Sequence, residues 1–360
     1  MSLGLPQILI TFKSKAASVI TRGSRGITAL ILKDSSVSVG VSVAEINDST
    51  EIPAALSNEN KDYIEKALMG GAKPPRQVLA VSIPASSENY NDALDALETR
   101  KFDFLAVPGI AAEATAAVAS WIKNLRDNLN TGVKAVLPDM AADHEGIINF
   151  ATSGIEAGAS TYTASQYTAR IAGLLAGMPL TVSATFWPLP EVTDIPRLTK
   201  SEYDTAIAAG KFVLYHDGEK VKVARAVNSL VTTTADKGED FKKIKMVDIM
   251  DMRHTDIRKT IEDSYIGKYP NSYDNKLLLV SAIKAYDESL ETDGLLDPEF
   301  DNTTAIDTAA QKTYLESIGI ATSGMTEQEI KEANTHDKVF LQSNIKILDA
   351  IEDFKLITII

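Results

Sequence analysis

Cysteine is absent from the 360 residues, which excludes a disulfide framework, a thiol nucleophile and any cysteine-based metal site, and fits a reducing cytoplasm. Histidine is scarce. Its four copies, His144, His216, His254 and His336, are scattered singly, and none has the His-x-x-x-His or His-Glu-x-x-His spacing of an imidazole metal site. Phosphate-cradling loops are missing as well: Gly70-Gly71-Ala72-Lys73 and Arg22-Gly23-Ser24-Arg25-Gly26 come nearest, but neither joins a strand to a helix N-terminus as a nucleotide loop does. No cofactor is therefore expected. No apolar run approaches the roughly 18 to 20 residues that span a bilayer, and the opening residues lack the basic, apolar and small-residue regions of a secretory signal. The expectation is a cytoplasmic protein without membrane insertion. Basic residues are outnumbered, 36 Lys and Arg against 49 Asp and Glu, for a net charge of -13. With no strong basic cluster, a nucleic-acid surface is not expected, because phosphate contacts need grouped Lys and Arg. The acidity reads as a solvated, self-repelling surface.

What is present is an ordinary globular composition, 44% hydrophobic and 24% charged, on a chain long enough for two domains with their own cores. The two ends stand out. Leu5–Lys13 and Phe354–Ile360 are apolar, β-branched and extended in character, whereas termini are usually polar and frayed. A β-rich segment at a free end carries backbone groups that need partners. Ile8, Ile10, Phe12, Leu356, Thr358 and Ile360 are thus the candidates for strands that pair either internally or with neighbouring copies.

Between the ends, short apolar strands alternate with helices. Strands are expected at Ile27–Leu32, Gln77–Ile83, Phe102–Val107, Val133–Leu137 and Gly146–Phe150, and helices at Asn58–Met69, Asn91–Thr99, Ala111–Leu129 and Ala164–Ala176. This alternation marks βαβ units and a buried, mostly parallel sheet. Gly177 and Pro179 close the last helix, and Phe186-Trp187-Pro188-Leu189-Pro190 reads as a domain boundary. The second half differs: a hairpin over Lys211–Tyr215 and Lys220–Val227 around Asp217-Gly218, then helices at Phe241–Ile266, Tyr273–Thr292, Ala305–Ile318 and Thr326–Glu332, and a strand over Lys338–Leu348. The fold class is α/β and α+β, divided at 1–24, 25–184 and 185–360.

Three constellations invite a chemical reading. Asp143-His144-Glu145 is compact enough for an acid/base pair, although such a run before a strand is more often a surface loop. Ser281-Ala282-Ile283-Lys284 matches the Ser-x-x-Lys of penicillin-recognising enzymes without its companion motifs, and core packing on a helix explains it better. Arg253, Asp256, Arg258 and Glu262 lead a dense charge pattern with His254, Lys259 and Asp263. They form either a solvated helix face, with pairs three or four apart, or an interface that meets complementary charge on a neighbour.

Several stretches together resemble one family, the contractile tail sheath proteins of bacteriophages, in particular the short sheath subunits of Gram-positive prophages and phage-tail-like bacteriocins. They are Leu3-Gly4-Leu5-Pro6, Ser24-Arg25-Gly26-Ile27, Leu56-Ser57-Asn58-Glu59-Asn60, His144 to Phe150, Ala169-Arg170-Ile171-Ala172-Gly173 and Ala224 to Leu230. The most distinctive is Asp256-Ile257-Arg258 followed by Tyr265-Ile266-Gly267-Lys268 and Asn271 to Lys276. The resemblance implies a structural subunit, not an enzyme, that polymerises as a helical stack of rings, about six subunits each, around an inner tail tube protein. Baseplate and tail terminator proteins would be further partners. Contraction would drive the tube through a cell envelope. It also implies terminal arms that complete a β-sheet with neighbouring subunits, an outward α/β domain inserted in a core domain built from both chain ends, assembly in the bacterial cytoplasm, and release in a virion or tail-like particle. A secretion-system sheath would share the mechanism. The alternative from another class is a small-molecule enzyme with a helical cap, which rests on fold analogy alone.

Overall fold

The structure, a computed structural model, describes residues 19–359. Two compact units are distinguished. One holds Arg22–Thr255 together with the segment from Ile347 onward, the other includes Asp256–Lys346, and the division falls inside a helix.

The first unit runs β1 (Ile27–Asp34), β2 (Ser42–Ile46), α1 (Asn58–Leu68), β3 (Gln77–Pro84), α2 (Asn91–Glu98), β4 (Phe104–Ala106), α3 (Ala112–Asp127), β5 (Lys134–Pro138) and β6 (Ile147–Phe150). It continues through β7 (Ile155–Ala157), β8 (Ser160–Tyr162), α4 (Ala164–Ala176), β9 (Val192–Asp194), α5 (Lys200–Ala208), β10 (Lys211–Phe212), β11 (Leu214–His216), β12 (Val221–Val223) and the start of α6 (Ile244–Ser264). Seven strands form one mixed sheet in the order β10-β6-β5-β4-β1-β3-β2. All its pairings are parallel except β2 against β3.

The sheet is buried on both faces, which is why β1, β3 and β5 read as continuous apolar runs rather than alternating ones. Leu30, Leu32, Val78, Phe104, Val136 and Ile148 share a core with Ile64 and Ala67 of α1 and Ile171 and Leu174 of α4. Ala29, Ile31, Leu79, Leu105 and Leu137 pack on the opposite side with Leu94 and Leu97 of α2 and Val118 and Ile122 of α3. Local chemistry sets the helix ends. The Thr163 hydroxyl accepts from the Gln166 N–H while the Gln166 side chain takes the Thr163 N–H, a capping box at the start of α4.

The sheet does not end at residue 184. Lys211–Phe212 supplies its edge strand beside β6, so the expected boundary at 184/185 coincides with no division of this unit. The Phe186–Pro190 stretch is no linker either: the Phe186 and Leu189 N–H groups donate to Val223 and Val221, and Leu189 is fully buried in the core. The expected hairpin around Asp217-Gly218 is present as β11 and β12, with Gly218 at φ +107° supplying the turn.

The second unit contains the end of α6, α7 (Tyr273–Thr292), β13 (Thr303–Ile306), α8 (Thr308–Ser317), α9 (Glu327–Glu332) and β14 (Leu341–Asn344). β13 and β14 form an antiparallel ribbon. The helix expected from Ala305 begins later because Asp307 caps it, its carboxylate accepting from the Ala310 N–H at 2.8 Å, and Ala305 lies in β13. The strand expected over Lys338–Leu348 is confined to β14, and residues 345–359 belong to no strand of the single chain.

Candidate functional site

The described part of the C-terminal segment divides sharply at Asp353. Up to that point it is tied down. Lys245 Nζ donates to the Leu348 carbonyl, Lys243 pairs with Asp349, and Arg225 pairs with both Glu352 and Asp353. Hydrogen bonds to Asp353 and Glu352 raise the Arg225 pKa above its ordinary value. Burial lowers that of Lys245. Beyond Asp353 the side chains have no such hold: Phe354, Leu356, Ile357 and Ile359 are 73 to 92% exposed. Four large apolar side chains within six residues, exposed and outside any strand, form an unusually apolar patch of surface. Leu356 and Thr358 of the expected pairing set lie in this exposed stretch. Ile8, Ile10, Phe12 and Ile360 lie outside the described residues.

The charged set on α6 is not one surface. Asp256 is buried and accepts from the Tyr286 hydroxyl at 2.7 Å, so it is an internal brace and not an exposed interface charge. Arg258 and Glu262 pair at 2.7 Å across one helical turn with both side chains about half exposed, a contact worth only about 0.3 to 0.5 kcal/mol. Arg253 is half-buried.

The sequence flagged Asp143-His144-Glu145, but the structure groups His144 and Glu145 with Asp127 instead, their ligand atoms lying within 4.8 Å of one another. The donors of this group are already spent. His144 Nδ1 accepts from the Gly146 N–H at 3.0 Å, which places the ring proton on Nε2, 3.3 Å from the Asp127 carboxylate. Both Glu145 oxygens lie 3.0 Å from Lys237 Nζ, with Arg126 3.6 Å away. Burial lowers the His144 pKa, against the pull of the neighbouring carboxylates. Two protein cations satisfy this cluster, so it does not fit a metal ion or an acid/base pair. Asp143 instead ties down a loop, accepting from the Val231 and Thr232 N–H groups, bonds that hold its pKa down at about 2. Ser281 is likewise no nucleophile: its hydroxyl donates to the Leu277 carbonyl at 2.9 Å.

Four of the motif stretches singled out in the sequence act as braces, while Leu3-Gly4-Leu5-Pro6 lies outside the described residues. Ser229 Oγ donates to the His144 carbonyl at 2.9 Å and its N–H donates to Ile147, joining the two central motifs. Arg170 is buried, with Nε 2.5 Å from Glu191 and a guanidinium N–H donating to the Gly70 carbonyl at 2.7 Å. In the second unit the Asn271 amide donates to the His336 and Lys338 carbonyls, and buried Lys276 reaches Gln311 and Thr335. Missed by sequence reasoning was a buried ion network of Lys134, Arg126, Asp248 and Asp251, because its members are far apart in the chain.

Comparison with known proteins gives one answer. Residues 84–229 match the phage tail sheath protein central domain and residues 236–359 the phage tail sheath C-terminal domain. The tail sheath protein of Clostridium phage phiCD119 is 40% identical over 359 residues, covering 98% of each chain. The fold resembles that of a sheath tail protein from Desulfitobacterium hafniense, with a TM-score of 0.69 at 21% identity over 84% of this chain and 94% of that one. It also resembles the sheath of an extracellular contractile injection system in its contracted state, with a TM-score of 0.70 at 11% identity over 100% and 98%. This chain belongs to the phage tail sheath protein family.

Proposed function

We infer that this chain is the repeating structural subunit of a contractile tail sheath, polymerising around an inner tube and contracting to drive that tube through a cell envelope. A sheath protein is structural and not an enzyme. The observation that carries the reading is the adjacent pair of sheath domain matches together with 40% identity over nearly the whole phage relative. The exposed apolar residues after Asp353 support it from the physical side. A β-branched segment gains main-chain hydrogen bonds by adding to the edge of another copy's sheet, whatever the facing side chains, and ribbons such as β13–β14 offer edges of that kind. Leu356, Thr358 and Ile360, with Ile8, Ile10 and Phe12 at the other end, are the residues proposed to pair between copies.

In the finer form of this reading, rings of about six subunits stack helically, by family resemblance, with the α/β domain projecting outward from the tube. The inner tube protein, baseplate and tail terminator are the partners. Assembly takes place in the bacterial host cytoplasm, and the product leaves in a virion or tail-like particle. The extended sheath is metastable, and contraction repacks the same subunits without nucleotide hydrolysis. Arg253, Arg258 and Glu262 are the charges proposed to exchange partners between copies. Negative-stain electron microscopy of the purified protein, alone and with its inner-tube protein, tests the reading. Hollow tubes or stacked rings are expected, and dispersed particles at every concentration would overturn it.

A further inference from the structure

The C-terminal segment is held at one residue more firmly than at any other point the described contacts reveal. Glu352 keeps only 9% of its side chain exposed, although the flanking Ile351 is 92% exposed and Phe354 83%. Its Oε1 lies 2.8 Å from Ser183 Oγ and 2.5 Å from Thr185 Oγ1. Its Oε2 accepts from Arg225 Nε at 3.0 Å, and the same guanidinium reaches Asp353 at 2.6 Å. The receiving side is itself built. Thr185 Oγ1 accepts the Ala226 N–H at 3.0 Å, and the Thr185 N–H donates to Ser183 Oγ at 3.1 Å. Both hydroxyls therefore belong to the loop framework beside β12. Charge-assisted bonds to a desolvated carboxylate are the strong kind, and a carboxylate this buried needs all of them.

We propose that the Glu352 carboxylate, seated between Ser183, Thr185 and Arg225, is the anchor that fixes where the inter-subunit arm leaves its parent subunit. It thereby sets the arm's reach and transmits its pull into the sheet-bearing unit. This rests on the sheath reading above. The geometry gives the consequence a scale. Pinned at Asp353, residues 354–360 extend at most about 25 Å, whereas a segment released back to Asp349, which Lys243 still holds, would extend about 40 Å. A longer free tether dilutes its own tip: growth from seven free residues to eleven lowers the effective concentration at a neighbour's edge by about twofold per arm. The pinned root keeps the arm short without making it rigid, because the exposed apolar stretch begins immediately after it.

The absence of native cysteine makes site-directed nitroxide labelling clean. Labels at I351C and L356C are compared by electron paramagnetic resonance in the parent chain and in E352A, with E352Q as the milder variant should E352A fail to fold by circular dichroism. In the parent monomer the label at 351 is expected to tumble several-fold more slowly than that at 356, and the difference to collapse in the variant. The critical concentration for tube assembly should then rise by about twofold. Equal mobility at 351 and 356 in a parent chain that forms tubes would overturn the anchor alone. A freed root with an unchanged critical concentration and normal contraction would overturn its role in the arm. A parent chain with a slow label at 351 that forms no tubes would overturn the sheath reading, and with it the anchor's part in assembly.

Discussion

Lys134 Nζ lies 2.5 Å from the Asp251 carboxylate with only 1% of the lysine side chain exposed. Asp248 stands 2.9 Å away on the other side, and Arg126 completes the group with two bonds to Asp251 at 2.9 and 3.0 Å. Two cations on α3 and β5 thus meet two anions one turn apart on the first half of α6. The network tethers that stretch of helix to the sheet at a defined register. Apolar packing there would be less discriminating, because a ridge of side chains tolerates sliding where a paired charge does not.

Lys134→Met should therefore cost stability in spite of adding an apolar side chain to a buried site. Removing one partner of a buried pair leaves an uncompensated charge, an effect of about 3 to 5 kcal/mol. Arg126 remains on Asp251 and pulls the expectation to the lower end. Urea unfolding of the purified protein measures it, and a midpoint equal to that of the parent would show that the network contributes nothing.

The same network predicts an acid response. Burial would raise the Asp251 pKa, but Lys134 and Arg126 outweigh it and hold it below 3.8. A carboxylate depressed in the folded state contributes stability that is fully present above its unfolded pKa and is lost as pH falls through the folded value. Asp251→Asn should consequently flatten the fall in stability below about pH 3.8, read from urea midpoints on either side of that pH, and lower the plateau above it.

Gly173 tests the packing between α1 and α4. A Cβ built there would meet the Ala67 carbonyl oxygen at 2.0 Å, a backbone atom that cannot swing aside. Gly173→Ala should cost about 1 to 3 kcal/mol even though alanine is the better helix former. Thermal unfolding followed at 222 nm (a backbone signal) checks it, and a stabilised variant would mean that the helices stand further apart.

How much of this was legible beforehand depended on range. β1 and β3 announce themselves through unbroken apolar runs, and the end of α4 through the Gly177 and Pro179 stop, all local chemistry. The three-residue strands β7, β8 and β9 are too short to carry a period, and α5 has no clear apolar stripe, burying only Tyr203. Asp256 looked like one more surface charge because pattern cannot tell that Tyr286 closes over it. The apolar tail was legible, its root was not: Glu352 meets Arg225 across 127 residues, a separation at which one sequence carries no signal.

His144 gives a response at milder pH. Burial lowers its pKa from 6.5, so the folded state disfavours the proton that the unfolded chain accepts. Its contribution is fully present above pH 6.5 and is lost as pH falls through the depressed folded value. His144→Asn should remove that part of the pH dependence while lowering stability at neutral pH, because the Gly146 N–H loses its imidazole acceptor. Stability measured by urea at pH 7.5 and pH 5.5 decides the matter. A slope between those two points as steep in the variant as in the parent would assign the dependence to another group.

Removing Leu356–Ile360 separates folding from assembly. Those residues include three of the most exposed large apolar side chains of the described chain, Leu356, Ile357 and Ile359, and the structure gives them no strand to lose. Deleting them takes little buried surface from the monomer, and what burial the folded unit loses is small beside the cores around β1 and β3. The truncated protein should keep the parent's circular dichroism spectrum and unfolding midpoint to within about 0.5 kcal/mol. It should also be more soluble, since an exposed apolar β-rich edge is the usual route to uncontrolled pairing. Tubes, by contrast, should be absent at concentrations where the parent forms them, because each subunit has lost the backbone groups proposed to pair with its neighbour. Normal tubes from the truncated chain would remove the arm from the assembly mechanism, and a destabilised monomer would show instead that the tail folds back on its own subunit.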